Sequence, residues 1–317
     1  MQATPMPALR FTSRGKPERT VLRVRELAEV LEAEPLWAAL PASRARVYGS
    51  FGGFDHDAGP WDGESFERIA ARVSRSDGQG MALGWDTPDP ESPEPLEVDS
   101  GINLSVSSDD ERELAPTPWE WAVQASPGLF TGAGLDVAGA LWLRLLQTVA
   151  TWPEVTWGAV LFDVTHRNAP TPFEVYFSAR VPVADAAGLA RGYYWANLLT
   201  EGHLETYGGY PHLARLCEEA GVACSPVSAR TAAIVTCAEA LSGFDDQHLA
   251  AMRDALAPVL PQDSYVWYEG PPLRVIKEAG TAFRRIAPEI RTPWFDDDPP
   301  LSQGNDRFRQ LVPDGDG

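Results

Sequence analysis

The sequence predicts an α+β protein made of two tandem ferredoxin-like units, each a βαββαβ arrangement in which an antiparallel sheet is covered by helices. Two observations carry this. The alternation of strand-like and helix-like periodicity runs strand, helix, strand, strand, helix, strand, and it does so twice along the chain. At 317 residues, 44% of them hydrophobic and with 11 tryptophans, the chain can also bury one large core or two ordinary ones. The two halves share no residue-level identity, so the duplication rests on element order alone, and edge pairing and face packing of the sheets both remain open.

Residues 1–20 are rich in Pro, Thr, Ser, Arg and Lys and are expected to be a flexible leader. The first unit, with an N-terminal helix, is assigned to residues 21–168. The helix spans Thr20 to Leu40, with Val21, Val24, Leu27, Ala28, Leu31 and Trp37 on one face and Pro41 closing it. Val47 to Phe51 reads as a strand, broken by Gly52 and Gly53. Asp62 is placed to cap a helix that turns Phe66, Ile69, Ala70 and Val73 inward. Met81, Leu83 and Trp85 alternate as a strand, and so do Ile102, Leu104 and Val106, with the proline-rich loop Thr87 to Pro95 between them. Ser107 to Gly134 reads as a long insertion carrying Asp109, Asp110, Glu111, Trp119 and Trp121, a length usual for functional or disordered loops. A helix from Leu135 to Thr151 places Val137, Leu141, Leu145 and Val149 together, and Val155 to Val164 is β-branched and apolar enough for a central strand.

The second unit is assigned to residues 173–286, after a linker at Asn168 to Pro172. Its expected order is an extra strand at Phe173 to Arg180, then a strand at Tyr193 to Thr200, a helix at Pro211 to Ala220, and strands at Val222 to Ser228 and Thr231 to Cys237. A helix from Asp245 to Leu260 follows, with Leu249, Met252, Leu256 and Val259 inward, and one or two strands within Tyr265 to Lys277. Residues 287–317 form an acidic tail in which Trp294 and Phe295 stand beside Asp296, Asp297 and Asp298.

Within the second unit the segment RGYYWANLLTEGHLETYGGYPHLARL, Arg191 to Leu216, reads as a strand, a glycine corner at Gly208 and Gly209, and a short helix opened by Pro211. In Gly192, Tyr193, Tyr194, Trp195, Asn197, Leu198, Gly208 and Gly209 the chain resembles the immunity protein 52 family of bacterial polymorphic-toxin systems, best over roughly residues 170 to 285. That resemblance implies a cytoplasmic inhibitor encoded beside a secreted toxin, in some members a nuclease of restriction-endonuclease-like fold, and so a binder, not an enzyme. The residues that carry it are of the kind that set a fold, and they say more about kinship than about chemistry.

Composition agrees with a protein partner. A formal charge of −19 and a pI near 4.6 disfavour nucleic acid and anionic membranes and favour encounter with a basic protein. Cys217, Cys224 and Cys237 are an odd number without metal-finger spacing, as expected of a reducing compartment. The opening residues have no apolar signal segment and no run reaches the length of a membrane helix, so a cytoplasmic location is expected.

No cofactor, metal or catalytic residue is expected. His203, Glu205 and His212, with Cys217 and Cys224 nearby, match none of the helical zinc spacings. Asp163 and His166 flank Thr165 without a nucleophile elbow. Neither the Gly49 to Gly53 stretch nor Gly132 to Gly134 has a phosphate-loop pattern, and the acidic pairs lack a calcium-loop register. The candidate toxin-binding residues are therefore Asp109, Asp110, Glu111, Trp119, Trp121, Trp294, Phe295, Asp296, Asp297 and Asp298, acids for steering and aromatics for anchoring. The alternatives are an enzyme with a site near His203 and His212, and a structural component of a secretion system.

Overall fold

The computed structural model describes residues 6–34, 45–51, 55–75, 78–86, 101–108, 116–125, 134–163, 181–244 and 246–260. The strands are β1 (Met6–Arg14), β2 (Ala45–Phe51), β3 (Asp55–Pro60), β4 (Gly78–Asp86), β5 (Gly101–Ser107), β6 (Pro118–Ala125), β7 (Val155–Asp163), β8 (Ala196–Thr200), β9 (Ala223–Pro226) and β10 (Ala232–Thr236). The helices are α1 (Pro17–Glu32), α2 (Gly63–Val73), α3 (Gly134–Ala150), α4 (Glu201–Thr206), α5 (Tyr210–Ala220) and α6 (Asp246–Leu256). The fold is thus α+β, with the strand order β3-β2-β4-β5-β6-β1 in one part and β7-β8-β10-β9 in the other. Every described register is antiparallel. Two compact units divide the chain, one of Arg10–Gly134 and one of Met1–Leu9 with Leu135–Gly317, the division falling inside β1.

The unit Arg10–Gly134 departs from the expected ferredoxin-like order. Beyond the glycines at 52 and 53 the chain pairs back on β2 as β3, Arg46 opposite Pro60 and Phe51 opposite Asp55. This hairpin reverses direction before α2 begins, so β4 also lies antiparallel to β2, with Val47 opposite Leu83. In consequence β3 and β4 are parallel, with β2 between them, and β4, β5 and β6 continue as a meander. The signal for β3 is weak in DHDAGP because an edge strand needs no apolar alternation, and its charges and proline suit an edge.

Helix α2 follows its sequence signals, whereas α1 ends at Glu32, short of the expected Leu40. Asp62 Oδ1 accepts from the Ser65 amide at 2.7 Å and so caps α2, which buries Phe66, Ile69, Ala70 and Val73. Helix α1 opens with Pro17 and buries Val21, Val24, Leu27, Ala28 and Leu31. The guanidinium of Arg25 on α1 lies 4.4 Å over the Phe66 ring of α2. Gly49 lets helix and sheet approach, since a Cβ there would lie 2.7 Å from Ile69 Cγ2. Trp37 and Pro41 lie outside the described residues.

Two expectations in this region are corrected. Part of the expected flexible leader is strand: in β1, Ala8, Leu9 and Phe11 are fully buried, and so are Arg10 and Thr12. Polar composition misled because Arg10 is neutralised in place, its Nη1 donating to Glu120 Oε1 at 3.2 Å. The expected insertion from Ser107 to Gly134 contains β6, whose tryptophans belong to the sheet and not to an exposed loop.

In the other unit, β8 pairs with β7, Gly158 opposite Leu198, and with β10, Leu199 opposite Ala233. The edge strand β9 pairs with β10, Val235 opposite Cys224. A split βαβ keeps the place beside its first strand for its own last strand, and here β7 occupies it beside β8. The tandem ferredoxin-like arrangement is therefore not the observed one, although β8, β10 and β9 keep the inner order it requires. The strands expected at 173–180 and 265–277 lie outside the described residues. Helix α3 buries Leu141, Leu145 and Val149 as its spacing predicts, but Val137, near the start of the helix, is exposed. Helix α6 and the turn Ala257–Val259 bury Leu249, Met252, Leu256 and Val259.

Candidate functional site

The segment that carries the family resemblance is a strand-to-helix corner sealed by its own side chains. Gly192 has φ 135°, which L side chains rarely adopt, and it leads into Tyr193, Tyr194 and Trp195, all buried. These three precede β8, which covers only Ala196–Thr200, because Asn197 folds them into a turn. Its Oδ1 accepts from the Tyr194 amide at 3.2 Å and its Nδ2 donates to the Tyr194 carbonyl at 2.7 Å. Tyr194 donates from its hydroxyl to the Arg191 carbonyl at 3.2 Å and meets the Trp157 ring edge-on at 6.3 Å. Trp195 Nε1 donates to the Ala238 carbonyl at 3.2 Å.

Helix α4, which periodicity alone does not reveal, starts directly from β8. The Thr200 amide donates to His203 Nδ1 at 3.1 Å, and Thr200 Oγ1 donates to the Thr156 carbonyl at 2.7 Å. A Cβ on Gly202 would lie 2.4 Å from the Ala187 carbonyl oxygen, so only glycine fits where the helix meets the 181–190 segment. Gly208 (φ 75°) and Gly209 (φ 107°) then turn the chain into α5. Tyr207 anchors that turn by donating to the Ala255 carbonyl at 2.9 Å.

This corner does not bring the two histidines into one site. His203 is fully buried, and burial lowers its pKa from 6.5 to about 4. The Leu189 backbone opposes that shift, yet Nε2 closes no hydrogen bond of normal geometry. His212 is exposed on α5, with Nδ1 3.2 Å from the Gly208 carbonyl oxygen. The ring is therefore neutral at pH 7 and its Nδ1 is occupied in capping α4. Among the described residues no three of His, Cys, Asp and Glu are grouped so as to hold a metal ion.

Of the candidate toxin-binding residues, Trp119 and Trp121 are described, and both are corrected. They are 0% and 1% exposed, too buried to anchor a partner. Trp119 Nε1 donates to the Gly15 carbonyl at 3.0 Å, and Trp121 Nε1 donates to Ser13 Oγ at 2.8 Å while its ring stacks on Phe11 at 5.0 Å. Their physical role is to hold β1. Asp109, Asp110, Glu111, Trp294, Phe295, Asp296, Asp297 and Asp298 lie outside the described residues.

A charged surface that the sequence did not single out joins the edge strand β3 to α2. Arg68 bonds Asp57, and Arg72 Nη2 bonds Asp55 Oδ2 at 2.5 Å while its guanidinium lies 3.7 Å over the Phe51 ring. On α1, Glu18, Leu22, Glu26 and Glu29 are exposed at helical spacing, and Leu22 is 52% exposed within that acidic stripe.

No protein-family model matches the chain, and no curated protein matches it by sequence. Among solved structures it is similar to the Pseudomonas aeruginosa T6SS protein PA0821, with a TM-score of 0.55 at 10% identity. The match covers 89% of this chain and 84% of that one. At this identity the likeness shows a shared fold. No described helix is long and apolar enough to cross a membrane.

Proposed function

We propose that this chain is an immunity protein that binds a cognate secreted toxin and neutralises it by occlusion, acting in the cytoplasm as a binder and not as a catalyst. The observation that carries this reading is the fold shared with a T6SS protein over 89% of the chain. It coincides with the immunity-family resemblance in Gly192 to Leu198, Gly208 and Gly209. The net charge of −19 adds to it, since an acidic inhibitor is drawn to a basic substrate groove such as a nuclease carries. Occlusion needs a stable, complementary surface and no reacting groups, and the buried, capped His203 fits that requirement.

The test is co-expression with the protein encoded next to this chain's gene. Growth rescue from that protein's toxic domain, together with a stable complex on gel filtration, is the expected result. Toxicity unaffected by this chain, with no complex, overturns the reading. A structural part of a secretion system is the second reading that the same neighbour favours. It would appear as self-association that grows with protein concentration, which strong like charge opposes.

A further inference from the structure

Helix α5 ends at Gly221, whose left-handed backbone (φ 76°) turns the chain back on itself. The Val222 amide donates to the Cys217 carbonyl at 2.9 Å, and the chain returns as β9 with Cys224 beside the last turn of the helix. The two side chains share a hydrogen bond. Cys217 is fully buried, whereas Cys224 is partly exposed on the edge strand. The Tyr210 hydroxyl donates to the Cys224 carbonyl at 3.3 Å and lies close enough to act on its sulfur as a second donor.

This geometry makes the two thiols unequal. The shared bond, and then burial, push the Cys217 thiol up, so Cys217 keeps its proton. The same bond lowers Cys224, with help from Tyr210 and against burial. Cys224 is also the more accessible sulfur, so an oxidant arriving from solvent meets it before the buried Cys217. Cys237 stands apart, buried, with its thiol directed at the Trp195 carbonyl at 3.5 Å.

We propose that Cys217 and Cys224 form a peroxide-responsive dithiol, with Cys224 the attacking and Cys217 the resolving cysteine. In the first step the Cys224 thiolate attacks one oxygen of hydrogen peroxide. The O–O bond breaks, the leaving hydroxide takes a proton to become water, and Cys224 becomes a sulfenic acid. In the second step the Cys217 sulfur attacks that of Cys224 and gives up its proton. The S–O bond breaks, a second water leaves and a disulfide forms. Two thiols are oxidised by two electrons and one peroxide is reduced to two waters. The bond would staple α5 to β9, and it is independent of whether the chain is an immunity protein.

The test uses the full chain, reduced, freed of reductant and treated with stoichiometric hydrogen peroxide at neutral pH. Peptide mapping without reductant should show Cys217 joined to Cys224, an intact mass lower by two hydrogens, reversal by dithiothreitol, and Cys237 still open to alkylation after unfolding. In Cys217→Ser, dimedone should capture the sulfenic acid at Cys224. The wild-type rate should still be high below pH about 8.5, where an ordinary cysteine is mostly protonated. Oxidation of Cys237 ahead of Cys224, or all three thiols remaining alkylatable, would overturn the proposal. The wild-type map decides this even if the variant folds poorly.

Discussion

Asn197 satisfies both backbone groups of Tyr194 with one buried side chain, accepting from the amide at 3.2 Å and donating to the carbonyl at 2.7 Å. No aliphatic residue can do both, and aspartate can do only the first while bringing a charge into a fully buried site. Asn197→Ala is expected to cost roughly 2 to 6 kcal/mol, since two buried groups at about 1–3 kcal/mol each lose their partner. Asn197→Asp should cost at least as much. Urea unfolding monitored by tryptophan fluorescence measures both, and an unchanged midpoint in either variant would show that the turn is held by other contacts.

His203 predicts an acid weakness with a defined window. Its pKa is about 4 when folded, against 6.5 for an unperturbed histidine, so the unfolded chain takes up the proton first as pH falls. Stability from this group is complete above pH 6.5 and declines as pH drops toward 4, by roughly 3 kcal/mol at about 1.36 kcal/mol per unit. His203→Gln removes this titration, and its stability should change less across that interval than that of the wild type. Parallel pH profiles for the two proteins would refute the assignment.

Two glycines should respond differently to the same added methyl. At Gly221 a Cβ meets nothing within 4 Å, so Gly221→Ala carries only the left-handed backbone penalty, about 1–2 kcal/mol. At Gly202, inside α4, alanine would ordinarily favour the helix, but its Cβ would lie 2.4 Å from a backbone oxygen. Gly202→Ala is expected to be the more damaging. Melting temperatures of the two variants rank them, and the reverse order would mean the 181–190 segment yields easily.

The buried pair Arg10 and Glu120 ties β1 to β6 at 3.2 Å. Arg10→Met removes the guanidinium that the buried Glu120 carboxylate meets at 3.2 Å and should cost about 3–5 kcal/mol. The double variant Arg10→Met, Glu120→Leu should recover most of that loss, because a buried pair contributes little net beyond the penalty of breaking it. A double variant no more stable than the single one would show that the charges have further partners that matter.

Binding kinetics with the proposed toxin partner separate steering from anchoring. Neutralising Asp109, Asp110, Glu111, Asp296, Asp297 and Asp298 should slow association, and more so at low salt, where the Debye length exceeds about 10 Å. Truncating Trp294 or Phe295 should speed dissociation instead. Trp119→Ala and Trp121→Ala should destabilise the fold, by about 3–5 kcal/mol in comparable cores. An association rate indifferent to salt and to the acidic substitutions would move the search to the exposed α1 stripe around Leu22.

Local chemistry was legible wherever a residue acts on its near neighbours in the chain. The apolar faces of α1, α2 and α6, the Asp62 cap and the glycine turn before α5 are short-range features, and the structure has each where the spacing puts it. The α+β class followed from those elements in sequence order. What only the tertiary structure decided is how strands meet, since pairing joins residues far apart in the chain. Arg10 sits opposite a carboxylate 110 positions away, and that contact turns a basic, leader-like segment into a buried strand. The same distance effect places Trp119 and Trp121 under β1, although their polar, acidic neighbourhood in the sequence suggests a loop. The β3 hairpin was invisible because an edge strand is half solvated and its sequence carries no apolar alternation. The Cys217 and Cys224 pair depends on the reversal at Gly221, which spacing alone does not specify.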